Sequence, residues 1–304
     1  MIKINIMKKI LITGGTGFIG KPLSEALIAA GYSLYLLTRQ KSLPNQTNKT
    51  YINNLKEIAD LQPEIIINLA GESIAQRWTA KTKKTLYSSR ISTTKDLVAY
   101  IKTRNIKPQV FITGSAVGYY GTEADTTLDE THSNPHPEVA FSSYLCNEWE
   151  EAAKIDLGIR QVFLRIGPVL AKDGGMLAKL LPSFSLGLGG QIGDGNQWLS
   201  WIDREDLIKL ILFILDREDL TGPINATAPN PVINKNFSKA LATALKRPCF
   251  MKTPAFILKL IFGQMAEELM LKGQRVVPKK ALDHGFKFSC NTIEESLKKS
   301  FGDK

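Results

Sequence analysis

Residues 9–20 read Lys9-Ile-Leu-Ile-Thr-Gly-Gly-Thr-Gly-Phe-Ile-Gly20. The run from Ile10 to Thr13 predicts a buried strand. The stretch from Phe18 to Ala30 has helical spacing and closes at Gly31. Between them lie glycines at G-x-x-G-x-x-G spacing. Gly14 allows the tight turn, Gly17 lets a backbone approach a pyrophosphate, and Gly20 lets helix and strand pack closely. The helix N-terminus offers unpaired N–H groups and the positive end of a dipole. Gly14, Thr16, Gly17, Phe18 and Ile19 are therefore the expected cradle of a dinucleotide.

The same rhythm continues outward. Strands are expected at 34–38, 65–69, 110–113 and 161–166, and helices at 79–104 and 141–156. Strand, helix, strand in this order means parallel pairing with crossovers on both faces. The expected fold is α/β, a Rossmann-type doubly wound parallel sheet with a smaller, mainly helical C-terminal substrate domain. The cofactor domain is expected over 7–167, with a returning segment around 201–230. Residues 168–200 and 231–304 form the smaller region. Residues 173–200 look Gly-rich and irregular, and helices are expected at 203–215, 236–245 and 254–271, with a short strand at 223–226. Met7 is a possible start, because the fold begins just after it.

Strand ends locate the rest of the cofactor site. The second strand ends at Thr38-Arg39, where an NAD enzyme usually places a carboxylate for the ribose 2′-hydroxyl. An arginine there suits a 2′-phosphate instead, so NADP(H) is expected over NAD(H). The third strand ends in Leu69-Ala70-Gly71-Glu72, small enough for adenine and ribose to pass closely.

Composition excludes several classes. Hydrophobic residues make up 43% of 304 and charged residues 22%, ordinary for a soluble globular chain. No apolar run reaches the roughly 20 residues that span a bilayer, and no cleavable leader is visible. A cytoplasmic location is expected, with no membrane partner. Cys146, Cys249 and Cys290 are odd in number and widely spaced, which argues against a disulfide framework. No metal site is expected from them or from His132, His136 and His284. The net charge of +10 is spread along the chain without an aromatic platform. It suits an anionic cofactor, and an anionic small-molecule substrate, better than nucleic acid. A homo-oligomer is left open.

These residues resemble the extended, sugar-nucleotide-epimerase branch of the short-chain dehydrogenase/reductase superfamily, and in it the atypical YfcH-like epimerase family. The likeness runs through Gly14–Gly20, Asn68–Glu72, Arg77-Trp78, Ser89-Arg90-Ile91, Ser115–Gly121, Trp149-Glu150, Leu164–Gly167 and Trp201-Ile202. It continues into Pro254–Phe288, similar to that family's C-terminal domain of unknown function. The resemblance implies cofactor contacts at Arg90 and Glu150. It also implies a Tyr-x-x-x-Lys pair and an orienting serine in active members. None of the eight tyrosines here is followed four residues later by lysine. Ser142 and Cys146 stand at the implied positions, as they would in the atypical family, which also lacks the pair. Ser115 keeps the place of the orienting serine. Tyr119 and Tyr120 beside it are either replacement acids or packed loop aromatics. Arg90 and Arg165 either meet phosphates or form structural salt bridges. The expected function is an NADP(H)-binding oxidoreductase or sugar-nucleotide-type epimerase with catalytic Ser115, Tyr119 and Tyr120. The alternative is a non-catalytic NADP(H)-binding sensor or interaction protein.

Overall fold

The computed structural model describes residues 7–41 and 43–302, with backbone alone at 123 and 124. Residues 1–6, on which the choice between Met1 and Met7 as the start turns, lie outside them. The apolar run Lys9–Thr13 is β1, buried from Ile10 onward. It lies between β2 (Ser33–Leu37) and β4 (Ile65–Asn68), parallel to both. β3 (Lys49–Ile52) extends the β2 side. β5 (Val110–Ala116), β7 (Arg160–Ile166) and β12 (Gly222–Ala226) extend the β4 side. The order is β12-β7-β5-β4-β1-β2-β3. The chain leaves β1 in one direction and returns to its other flank at β4. That reversal opens a crevice at the carboxyl ends of β1 and β4, where such sheets bind ligands.

Alternation along the strands builds two cores. Ile10, Ile12, Ile65 and Ile67 face one side with α1 (Gly20–Ala29) and α6 (Arg204–Leu215). Leu11, Ile66 and Phe111 face the other with α3 (Thr93–Thr103) and α4 (Phe141–Ala153). Helices thus cover both faces of a parallel sheet that is most deeply buried at its central strands β1, β4 and β5.

The long helix expected over 79–104 is interrupted. α2 (Ala80–Tyr87) passes into a π-helical turn, Ser88–Ser92, before α3. The stretch 173–200 is more regular than its glycines suggested. It holds α5 (Gly175–Ser185) and the short strands β9 (Gly190–Ile192) and β10 (Trp198–Leu199), after β8 (Val169–Ala171). β11 (Ile202–Asp203) then leads into α6. The single helix expected over 254–271 is two, α8 (Ala255–Phe262) and α9 (Gln264–Leu269), because Gly263 takes a φ of 60° and breaks the ladder. β3 escaped notice because a four-residue edge strand, Lys-Thr-Tyr-Ile, carries little periodic signal.

A further core packs α7 (Asn234–Ala244) and α11 (Ile293–Phe301) around Trp201 and Phe184. α11 opens with a capping box, Thr292 and Glu295. β6 (Glu123–Leu128) pairs with β15 (Gly273–Val276), β13 (Val232–Ile233) with β10, and β14 (Met251–Thr253) with β9. α10 (Lys279–Asp283) packs on β12.

Asp203, Asp206 and Cys290 converge within 4.8 Å, but the carboxylates are already occupied. Asp206 accepts the N–H groups of Ser289 and Cys290 at 2.9–3.1 Å. Asp203 caps α6 and accepts from Ser296 Oγ and Lys299 Nζ, both at 2.9 Å. The cluster fastens the C-terminal segment to α6. Asp206→Ala strands the buried N–H of Cys290 and the part-buried N–H of Ser289, so we expect a loss of about 2 kcal/mol in urea unfolding, and about half that for Asp206→Asn. An unchanged midpoint for Asp206→Ala would refute this role.

Candidate active site

The glycine turn is dictated by backbone crowding. Gly14 has a φ of 72°, and a Cβ there would meet Leu69 O at 2.5 Å. A Cβ on Gly20 would meet Gly14 O at 2.1 Å. Gly17 differs, because a Cβ there meets only Gly14 O, at 3.3 Å, and otherwise points into open space. Phe18 and Ile19 offer backbone N–H groups that no carbonyl among the described residues accepts. Gly14 and Gly20 therefore hold the turn together, while Gly17 leaves room beside it. Thr16, Gly17 and Phe18 border a cleft of about 470 Å³ shared with Lys21, Asp173 and Arg204. The Phe18 ring sits under the Arg204 guanidinium, 4.9 Å from its centroid. Gly174 and Gly175 are glycines because Cβ atoms there would strike that ring at 2.4 and 2.9 Å.

Behind the turn a saturated chain of polar groups joins four elements. Thr13 Oγ1 donates to Asn68 Oδ1 at 2.6 Å and accepts from Ala70 N. Asn68 Nδ2 and Trp149 Nε1 donate to Thr94 Oγ1, which donates to Arg90 O. Thr94 was not singled out in the sequence, and Asn68 entered only as the first residue of the Asn68–Glu72 motif. The only signal was an asparagine closing an isoleucine strand.

The ends of β2 and β4 meet through side chains. Thr38 turns inward and accepts Gln40 N, while Arg39 stands 84% exposed. Arg39 Nη2 lies 3.3 Å from Glu72 Oε2. The π-helical turn in turn pins Glu72, since Ser89 Oγ accepts its N–H and Arg90 Nη2 donates to its carbonyl at 2.9 Å. Arg90 also donates to Leu86 O and lies 5.2 Å from the Trp149 ring centroid. Its guanidinium packs on Gly71 and has no carboxylate within ion-pair distance among the described residues. Burial lowers its pKa.

The proposed catalytic trio is divided. Ser115 is buried, and its hydroxyl donates to Glu150 Oε1 at 2.7 Å. Arg165 takes the same carboxylate bidentately, Nε to Oε1 and Nη2 to Oε2, both at 2.9 Å. Glu150 therefore has both oxygens engaged inside the protein. Arg165 Nη1 donates to Tyr120 Oη at 3.0 Å, and Tyr120 donates to Asn225 Oδ1 at 2.7 Å. Burial pushes Tyr120 up to about 12, against the pull of Arg165. The structure thus places the hydroxyls of Ser115 and Tyr120 in hydrogen bonds inside the core. Tyr119 is only partly buried. Its ring lies 3.4 Å beneath the Arg165 guanidinium and edge-on to Tyr120, and its hydroxyl is engaged by no group among the described residues. Arg165 is part of a structural ion pair.

Ser142, Cys146, Trp149 and Glu150 do share one inward helix face, all buried. Burial, with the charge of Glu150, pushes the Cys146 thiol up to about 12. Ser142 is drawn to the C-terminal region. Its N–H and Oγ donate to Glu268 Oε2 at 2.8 and 2.7 Å, and Phe141 N donates to Oε1. Glu268 is buried beside an exposed neighbour, Glu267. Nothing in the sequence distinguished the two.

The family model described as NAD dependent epimerase/dehydratase matches residues 10–226, and one described as a domain of unknown function, DUF1731, matches 253–300. Epimerase family protein YfhF of Bacillus subtilis is 39% identical over 97% of this chain and 98% of its own length. The chloroplastic epimerase family protein SDR39U1 homolog of Arabidopsis thaliana is 36% identical over 94% of this chain and 85% of its own. The crystal structure of human epimerase family protein SDR39U1 with NADPH superposes with a TM-score of 0.89. It is 31% identical and covers 97% of this chain and 100% of that one. At 16% identity, UDP-glucuronic acid 4-epimerase from Bacillus cereus shares the fold with a TM-score of 0.76. With a glycine turn, a switch-point crevice and these relatives in agreement, the chain belongs to the NAD dependent epimerase/dehydratase family, with the extended short-chain dehydrogenase/reductase fold.

Proposed function

We propose that this protein binds NADP(H) and acts as an oxidoreductase or sugar-nucleotide-type epimerase without a Tyr-x-x-x-Lys pair. One observation carries the reading. The turn leaves Gly17 open beside two unclaimed N–H groups, and an exposed arginine, paired with Glu72, follows β2 where a carboxylate would select NAD. That is a fitting cradle for a pyrophosphate with a 2′-phosphate at its far end. Gly14, Thr16, Gly17, Phe18 and Ile19 would hold the pyrophosphate. Thr38 and Arg39 would hold the 2′-phosphate side, and Leu69–Glu72 the adenosine. Arg90, a partly buried cation with no carboxylate at ion-pair distance among the described residues, is the further candidate for a negative group. The human relative crystallised with NADPH supports the same choice. When bound, the nicotinamide supplies a site that accepts or returns a hydride.

Within this reading Tyr119 is the remaining proton donor of the trio. Ser115 acts by holding Glu150, Glu150 holds Arg165, and Arg165 holds the Tyr119 ring. The locked serine and Tyr120 also favour a second reading, a non-catalytic NADP(H)-binding protein. Cofactor turnover with a metabolite panel separates the two. Turnover supports the enzyme, and NADPH binding without turnover supports the sensor.

Isothermal titration checks the cofactor. We expect NADPH to bind more tightly than NADH, and Arg39→Gln to lose about tenfold to a hundredfold in NADPH affinity with little change for NADH, the worth of a charge-assisted bond. Equal affinities in the parent protein would remove the argument. The two glycines should part company. Gly17→Val is expected to stay folded and lose NADPH, whereas Gly20→Ala should lower the melting temperature, since its Cβ has nowhere to go. If Gly17→Val binds normally, the glycines serve the turn alone. Thiol chemistry is testable as well. Iodoacetamide at about pH 8 should label Cys249 well before Cys146, whose thiol stays protonated and buried. Early modification of Cys146 in the folded protein would return it to the list of reactive groups. Given a substrate, Tyr119→Phe should slow turnover by about 10²-fold or more. A full rate in that variant would clear Tyr119 of any role.

A further inference from the structure

Helix α8 reads Ala-Phe-Ile-Leu-Lys-Leu-Ile-Phe, apolar on every side apart from Lys259. A helix of that composition ordinarily lies inside a core. Here Leu258 is its one buried residue, and Phe262 is partly covered by the cluster around Trp78 and Met265. Phe256, Ile257, Leu260 and Ile261 are 70, 37, 74 and 50% exposed. At about 100° per residue these four span an arc of about 140°. Four large side chains on one continuous arc mark an interaction surface, where single exposed apolar residues would not. The surface continues beyond the helix. Phe250 and Met251 open β14, Leu186 and Leu188 precede β9, and all four are exposed. Gly190 pairs with Met251, so the two groups lie at one end of the same ladder. Pro254 then leads directly from β14 into α8.

Charge identifies the occupant. From Leu220 to Ala266 the chain contains no Asp or Glu, and it carries Lys235, Lys239, Lys246, Arg247, Lys252 and Lys259. All but Lys235 are exposed. Arg247 donates to Ser185 O and so stands beside Leu186. Lys252 sits between Met251 and the helix. Lys259 is already paired with Glu267 at 3.4 Å. A second copy of this chain packed about a twofold axis would bring the same cations against themselves. An apolar face bordered by basic side chains is instead what an anionic bilayer surface takes up, with the apolar side chains at the acyl boundary and the cations among the phosphates. At eight residues α8 is far too short to cross a bilayer, and no helix of the described residues is long and apolar enough to do so. Against the sequence expectation of no membrane partner, we infer that α8, with the β9–β14 ladder, is a peripheral contact surface for anionic membranes. α9 follows α8 directly and places Glu268 on the N-terminus of α4. The contact surface is therefore one short helix away from the candidate site.

Vesicle flotation of the full chain tests this, using phosphatidylglycerol/phosphatidylcholine vesicles against pure phosphatidylcholine at low and high salt. Binding is expected on the anionic vesicles only, weakened by salt, and reduced about tenfold or more in F256S/L260S. Both side chains are mostly exposed, so the double variant opens no cavity and should keep its circular dichroism and melting temperature. Lys239→Glu/Lys252→Glu, made in parallel, should weaken binding without touching the apolar strip. The inference is overturned if the parent protein stays off anionic vesicles, or if it binds neutral vesicles equally well. It is also overturned if F256S/L260S binds like the parent. Light scattering supplies the remaining outcome. A dimer that F256S/L260S dissociates would make the face a self-contact and overturn the membrane assignment.

Discussion

Glu150 and Arg165 form a fully buried, bidentate ion pair between α4 and β7, and the whole carboxyl edge of the sheet is organised around it. Placing two charges in a core is costly unless every lone pair and proton finds a partner. Here the partners come from four elements. Ser115 of β5 and the guanidinium share the carboxylate, Tyr120 takes a further guanidinium proton, and Asn225 of β12 takes the proton of Tyr120. The network fixes how α4 meets the sheet. Ser115 braces it against the buried carboxylate, and Tyr120 braces it between Arg165 and Asn225.

The π-helical turn plays a comparable part on the other side of the crevice. π-bulges interrupt helices at a cost and recur at functional sites. This one brings Ser89 and Arg90 onto the backbone of Glu72, and Glu72 reaches Arg39. The ends of β2 and β4 are linked in this way to a helix that the sequence presents as continuous. The Arg39–Glu72 pair is exposed, and such pairs contribute little stability. Its value lies in orientation, since it parks an arginine over the rim of the crevice while leaving it free to exchange partners.

The C-terminal region does more than close the chain. Glu268 caps α4 at the residue where the resemblance would place a tyrosine, and Gln264 supports it at 2.6 Å. Gly174 and Gly175 make way for Phe18 of the glycine turn. Residues from 174 onward therefore reach both α4 and the glycine turn.

Local physics made a good part of this legible from the sequence. An isoleucine-rich run followed by glycines at fixed spacing leaves few alternatives to a strand, a tight turn and a helix N-terminus. Arg39 in place of a carboxylate could likewise be read from chain position alone. Side-chain commitments were another matter. Ser115 and Glu150 are 35 residues apart, Tyr120 and Asn225 are 105 apart, and Ser142 and Glu268 are 126 apart. No local pattern distinguishes Glu268 from Glu267, or a bracing tyrosine from a reacting one. The sequence by itself determined the strand–glycine–helix unit, the parallel sheet and the missing Tyr-x-x-x-Lys pair, because each depends on residues near in the chain. Tertiary structure alone decided which hydroxyls keep a free proton, because burial and hydrogen-bond partners are properties of groups that meet only when the chain has folded.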